Sequence, residues 1–222
     1  MDFTALLLAL ASDQQEMLRS ILRIFHFVGL AMGLGAAILL DLMIVRFFLG
    51  RPLTEHSCQI FAFCSDIVSS GLKLLWITGI GFLVYYWFFD PIRLGNEKVW
   101  AKMVIVALLS LNGWYIHRTV LPLVYKQVGR SILQDIPQWR QQLMVSTGVV
   151  SFISWNGPLI IANLPHLNFQ VPMIQILEVY LIVLVGVLVF TNLVLMLSFT
   201  GARIRRWAQR SRIGSTHRDR FI

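Results

Sequence analysis

Charge is what this chain has least of. Only 14% of its residues are Asp, Glu, Lys or Arg, against 57% hydrophobic, with a mean hydropathy of +0.70. That balance excludes an ordinary soluble domain, where about 25% of residues are charged. Cysteine is nearly absent too. Cys58 and Cys64 lie close together in an apolar stretch with helical character, a poor geometry for a disulfide, and no CxxC occurs. Buried free thiols are expected. The chain has no P-loop, no G-x-S-x-G elbow, no HExxH and no Cys/His zinc spacing, so motif-borne signals for nucleotide, acyl-transfer and zinc chemistry are missing. No Ser/Pro/Gly-rich linker, internal repeat or low-complexity segment divides the sequence, which points to a single bundle.

In place of these there are five long apolar stretches, at about residues 20–46, 59–89, 99–122, 142–164 and 172–199. Each is long enough to cross about 30 Å of hydrocarbon as a helix rising 1.5 Å per residue. A helix satisfies its own backbone hydrogen bonds, which is what removal from water demands. The expected fold class is therefore all-α, a polytopic integral membrane bundle of five transmembrane helices over 19–200. A short interfacial segment at 1–18 precedes it and a basic tail at 201–222 follows. Phe3–Ala11 is too short for a sixth crossing, and with no basic residue before it this segment does not read as a cleaved signal.

Orientation follows from the cations. Most of the 19 Lys and Arg fall on one side: Arg46 and Arg51, then Arg118, Lys126, Arg130 and Arg140, then the tail from Arg203 to Arg220. The positive-inside rule places that side, with the C-terminus, in the cytoplasm and the N-terminus outside. A bacterial-type inner membrane is the expected location. The tail accounts for much of the net charge of +8 and suits anionic lipid headgroups, at about 1 kcal/mol per cation near the surface. It lacks the interleaved aromatics and the fold of a nucleic-acid binder.

A charged group deep in a span costs about 2.5–3.5 kcal/mol, so the few present need partners or a function. Depth sorts them into two layers. Toward the outer face lie His26, Trp100, Lys102, Asn156 and Glu178; toward the inner face lie Asp41, Asp66 and His117, with Lys73 midway. His26, Lys102 and Glu178 are expected to form an outer polar cluster in which Lys102 and Glu178 are the candidate catalytic or proton-relay groups. The plainer alternative has Lys102 snorkelling to the surface and Glu178 pairing with it. Asp41 and Asp66 are expected to pair with Lys73 or Arg46. Pro158 in the fourth span should free a carbonyl inside the bundle.

Histidine is the side chain here that both ligates iron or other metals and titrates near neutral pH. His26 is followed by Gly29 and Gly33, a G-x-x-x-G step that either lets another helix approach or leaves room for a flat macrocycle. His26 and His117 sit toward opposite ends of parallel helices, so they do not match as a pair. His166, in the outer loop, is the better-matched second ligand for His26, and His56 for His117. All four are candidate cofactor ligands, and His26, His166 and His117 are candidate metal ligands.

Three stretches resemble a superfamily of small membrane proteins. They are Leu22-Arg23-Ile24-Phe25-His26 running into the Gly-rich helix, Leu75-Trp76-Ile77-Thr78-Gly79-Ile80-Gly81, and Val99-Trp100-Ala101-Lys102-Met103 leading to Asn112-Gly113 and His117. Over about residues 20–122 they resemble the HemJ-type protoporphyrinogen oxidases and the related CopD-like copper-resistance proteins. The resemblance implies haem b within the bundle and removal of hydrogens from a porphyrinogen. It makes His26 the first-span histidine and Lys102 the lysine that opens the third-span motif. Trp100 stands where the HemJ-type pattern usually has a histidine.

Three functions remain open on the sequence. One is a cytochrome b-like or HemJ-like oxidoreductase that moves electrons or protons, with a quinone or another redox protein as partner. The second is a copper-handling protein or other small transporter using His26, Met32, Met103 and Met173, because thioethers suit Cu(I). The third is a cofactor-free accessory subunit of a larger membrane complex, held there by its glycine-lined helix faces.

Overall fold

The computed structural model describes residues 3–48, 53–129 and 136–218, with side chains over 12–47, 53–129 and 136–197. Among the described residues six α-helices follow one another: α1 (Phe3–Phe48), α2 (Glu55–Phe89), α3 (Glu97–Tyr115), α4 (Leu121–Tyr125), α5 (Gln138–Ala162) and α6 (Met173–Arg218). No strand occurs among the described residues. Five stretches among the described residues are long and apolar enough to cross a membrane: Ser12–Phe47, Glu55–Phe89, Glu97–Tyr125, Gln138–Ala162 and Met173–Leu197. These are the marks of a multi-pass membrane protein. The outward faces agree, with Phe63, Ile77, Trp87 and Phe190 each about two-thirds exposed, at 67%, 68%, 69% and 65%. Hydrocarbon accepts such a surface and water does not.

The N-terminal segment is continuous with the first span, since α1 runs unbroken from Phe3. The tail from Arg203 lies outside the residues with described side chains, so the expected lipid contacts fall beyond the structure's reach. Cys58 and Cys64 are free thiols, and Cys64 is buried.

The third span changes pitch near its end. A π-helical turn at Ile116–Val120 separates α3 from α4, and the Leu121 N–H reaches back to the Ile116 carbonyl. Pro122 accounts for this, because a proline cannot supply the N–H that Arg118 would otherwise accept. His117 lies within the turn, and such turns recur at functional sites.

Small residues bring α1 and α2 together. A Cβ added at Gly71 would stand 2.5 Å from the Gly33 nitrogen and 2.7 Å from the Gly29 oxygen. The two backbones therefore touch, as expected where Gly permits close approach. The far edge of the Trp155 indole from α5 fills the space beside Gly33. Both glycines are thus used by helix packing and the indole, which leaves no room there for a macrocycle.

Three buried clusters hold the rest. Ala37, Leu75, Leu109 and Trp155 form the middle of the bundle, where α1, α2, α3 and α5 meet. Ala101, Ile105, Ile176 and Tyr180 join α3 to α6. Phe47, Leu53, Phe61, Val124 and Met144 close one end. That end, where α4 leads to Lys126, is the Lys126 end, and the opposite end is the Lys98 end. Side-chain hydrogen bonds between helices add to the packing: Trp76 Nε1 to Ser110 Oγ at 2.9 Å, Asn112 Nδ2 to the Thr147 carbonyl at 3.0 Å and Ser154 to Tyr180 at 2.8 Å.

At the Lys98 end two consecutive residues of α3 serve two other helices. Lys98 is buried, and its Nζ donates to the carbonyls of Ala162 (3.2 Å) and Leu164 (2.9 Å) at the C-terminus of α5. Glu97 Oε2 accepts from the Met173 N–H at the start of α6, at 2.5 Å. A cation at a helix C-terminus and a carboxylate at an N-terminus both complement the helix dipoles. In the loop before α3, Arg93 and Asp90 form an ion pair. That hydrogen bond to Asp90 raises the Arg93 guanidinium above its ordinary pKa.

Candidate functional site

A cavity of about 390 Å³ opens between α1, α2, α3 and α5 toward the Lys98 end. Its size falls within the roughly 300–1,000 Å³ of ligand sites. Its floor is apolar and aromatic, including Leu30, Leu75, Phe82 and Trp155. Among the polar residues of the wall, Arg23, His26 and Lys102 are basic, and no carboxylate lines it among the described residues. Ser154 and Pro158 of α5 also line it. Pro158 lies inside α5 and has no N–H to give the Ser154 carbonyl.

His26 is anchored by a neighbouring helix. His26 Nδ1 lies 2.8 Å from Thr78 Oγ1. Thr78 Oγ1 also lies 2.7 Å from the Leu74 carbonyl of its own helix. With the hydroxyl proton assigned to that carbonyl, Thr78 accepts from the ring, the imidazole proton sits on Nδ1 and Nε2 keeps a lone pair. Nε2 has no hydrogen-bond partner among the described residues. The ring edge is also held by Phe82, at 5.7 Å between centroids and 79° between planes. A metal-ligating histidine needs this arrangement: one nitrogen anchored, the other free.

Arg23, His26 and Lys102 share this cavity, with Nε2 of His26 unpartnered among the described residues. Met103, a thioether of haem-ligating type, also lines the cavity.

The other expected site residues fall elsewhere. Glu178 is exposed on α6 and does not line the cavity, so the expected outer cluster reduces to His26 and Lys102. His166 is exposed in the turn Pro165–Leu167, and His56 is exposed on the first turn of α2. His117 faces a second, smaller cavity at the Lys126 end, along with Asp41. Its Nε2 lies 3.2 Å from Ser65 Oγ and 3.1 Å from Ser69 Oγ. The expected pairing of Asp41 and Asp66 with Lys73 or Arg46 does not occur, since the one ion pair among the described residues is Arg93–Asp90. Asp66 and Lys73 are two turns apart on α2, about 10 Å along the axis, too far for a direct contact. Of the thioethers proposed for copper, Met32 and Met173 stand away from the cavity and only Met103 shares it with His26. No group of three or more His, Cys, Asp or Glu gathers as a metal site among the described residues.

Sequence reasoning missed Thr78 and Trp155. Thr78 is a buried hydroxyl on the span facing His26, at 3% exposure, and its signal was a lone threonine in an apolar helix. Comparisons of the chain with family models, with curated proteins and with solved structures find no match.

Proposed function

We propose that this protein binds haem b in the Lys98-end cavity, with His26 as an axial ligand, and takes part in electron or proton transfer within the membrane. The observation that carries this reading is the anchoring of His26 Nδ1 by Thr78 in a cavity lined by Arg23 and Lys102 and, among the described residues, by no carboxylate. Thr78 holds the ring and directs the Nε2 lone pair, while Arg23 and Lys102 compensate the charge of an anionic ligand. Leu75, Phe82 and Trp155 give that face an apolar floor. Bound haem supplies a one-electron couple whose potential is set by axial ligation and burial.

The cation distribution supports an orientation with the Lys98 end facing outward and the basic tail in the cytoplasm, in a bacterial-type inner membrane. A quinone or a redox protein meeting the Lys98 end is the natural partner. The HemJ-like stretches favour a second use of the same wall. Lys102 and Arg23 would seat the carboxylates of a porphyrinogen, making the protein an oxidoreductase.

The visible spectrum of the protein purified in detergent tests the reading. A Soret band with sharp reduced α and β bands is expected. A colourless sample would end the haem assignment; if enriched in copper, it would favour metal handling by His26 and Met103.

A further inference from the structure

A second cavity, of about 100 Å³, lies between α1, α2, α3 and α5 toward the Lys126 end. Ala37, Leu75, Leu109 and Trp155 pack together in the middle of the bundle and part it from the Lys98-end cavity. The two cavities differ in sign. Arg23 and Lys102 line the Lys98-end cavity. The Lys126-end cavity is lined by the carboxylate of Asp41 and, among the described residues, by no Lys or Arg.

Asp41 has neither an ion-pair nor a hydrogen-bond partner among the described residues. A carboxylate held that way in an apolar span is expensive, and such groups mark function. The hydroxyls around it add acceptors. Thr147 Oγ1 lies 2.9 Å from the Met144 carbonyl of its own helix. With the hydroxyl proton assigned to that carbonyl, the oxygen keeps lone pairs for another donor. Ser151 lies one turn further along α5 on the same wall, while Ser65 is engaged with His117 Nε2 at 3.2 Å. The rest of the wall is largely apolar and includes Leu40, Phe61, Val68 and Met144. Two glycines leave it bare on one side: a Cβ added at Gly113 or Gly148 would meet nothing within 4 Å.

We propose that this cavity binds a small organic ammonium ion, a primary amine with a short aliphatic body. Its charge pairs with Asp41 and its carbons lie against the apolar wall. An ammonium group has three N–H donors and no acceptor, which suits side chains that offer a carboxylate, hydroxyl oxygens and no competing Lys or Arg. In an apolar interior the attraction between the two charges is far stronger than in water. The size agrees with a body of about four or five carbons, since a cavity of about 150 Å³ takes benzene. A bare hard cation fits less well. Calcium, for example, takes about six to eight oxygen ligands, and no group of three or more His, Cys, Asp or Glu gathers among the described residues. Binding here is association alone, with no bond to carbon made or broken, and it requires no haem.

Equilibrium dialysis of radiolabelled n-butylamine against the full chain in detergent at neutral pH, with empty micelles as the blank, tests this. Saturable binding of one amine per chain is expected, at least tenfold tighter than that of n-butanol, its neutral isostere. Asp41→Asn should weaken amine binding at least tenfold, and Gly148→Leu, which fills the cavity, should abolish it. His26→Ala should leave it within twofold, because the haem reading concerns the other cavity. No saturable binding, or equal binding of the alcohol, would overturn the proposal. So would a loss under threefold in Asp41→Asn or in Gly148→Leu, or a loss in His26→Ala as large as that in Asp41→Asn. Displacement of the amine by an equal concentration of sodium or potassium would overturn it in favour of an inorganic cation. Should Asp41→Asn fail to remain monodisperse, Gly148→Leu and the amine–alcohol comparison on the unaltered protein carry the same outcomes.

Discussion

Gly71→Ala tests the packing that sets the rotation of α1 against α2, and with it which residues face the cavity. The added Cβ would meet three backbone atoms, Gly33 N at 2.5 Å, Gly29 O at 2.7 Å and Gly33 Cα at 2.7 Å. Ordinary carbon contacts lie near 3.5–4.0 Å, so α1 would have to retreat by about 1 Å over at least one turn. No side-chain rotation relieves a clash with backbone. Overpacking of this kind costs about 1–3 kcal/mol, against a gain of at most about 1 kcal/mol from alanine's better helix propensity. Gly81→Ala is the control. There the contact is the flexible end of Leu22, at 2.8 Å, and Leu22 can turn away. Gly35→Ala meets nothing within 4 Å. Thermal unfolding in detergent should rank Gly71→Ala well below the unaltered protein and leave the other two near it. Equal melting temperatures for Gly71→Ala and Gly35→Ala would refute the close approach of α1 and α2.

Two further outcomes follow from the same geometry. Thr78→Val keeps the shape but removes the acceptor that fixes the His26 tautomer, and haem affinity should fall about 10–100-fold, measured by haem titration of the apoprotein; a change under twofold would deny Thr78 its anchoring role. Lys98→Met should lower stability by about 1.5–3 kcal/mol through loss of charged hydrogen bonds to the carbonyls of Ala162 and Leu164, read as a drop in detergent melting temperature; no drop would mean those bonds contribute nothing net.

Length and apolarity made the five spans legible, because a run of apolar residues that long leaves the backbone no cheaper state than a helix. Rotation about each helix axis was not legible. Depth alone put His26, Lys102 and Glu178 in one layer. The contacts of Gly29, Gly33 and Gly71 then turn His26 toward Lys102, while Glu178 lies on an exposed part of α6. Asp66 and Lys73 attract on paper, yet two helical turns keep them apart. Pro122 was visible in the sequence, but its effect needed the ladder: the missing N–H shifts a turn to π geometry, where His117 sits. Thr78 carried no motif, and its role appeared only once the direction of its own hydroxyl bond was known.

The central claim is that the free nitrogen of His26 faces a ligand it can hold. Reduced-minus-oxidised spectra of the purified protein and of His26→Ala, at matched protein concentration and with haem quantified by extraction, test it most directly. Haem is expected in the unaltered protein, with loss of the α band and of most of the extractable haem in the variant. An α band of unchanged position and height in His26→Ala would contradict it.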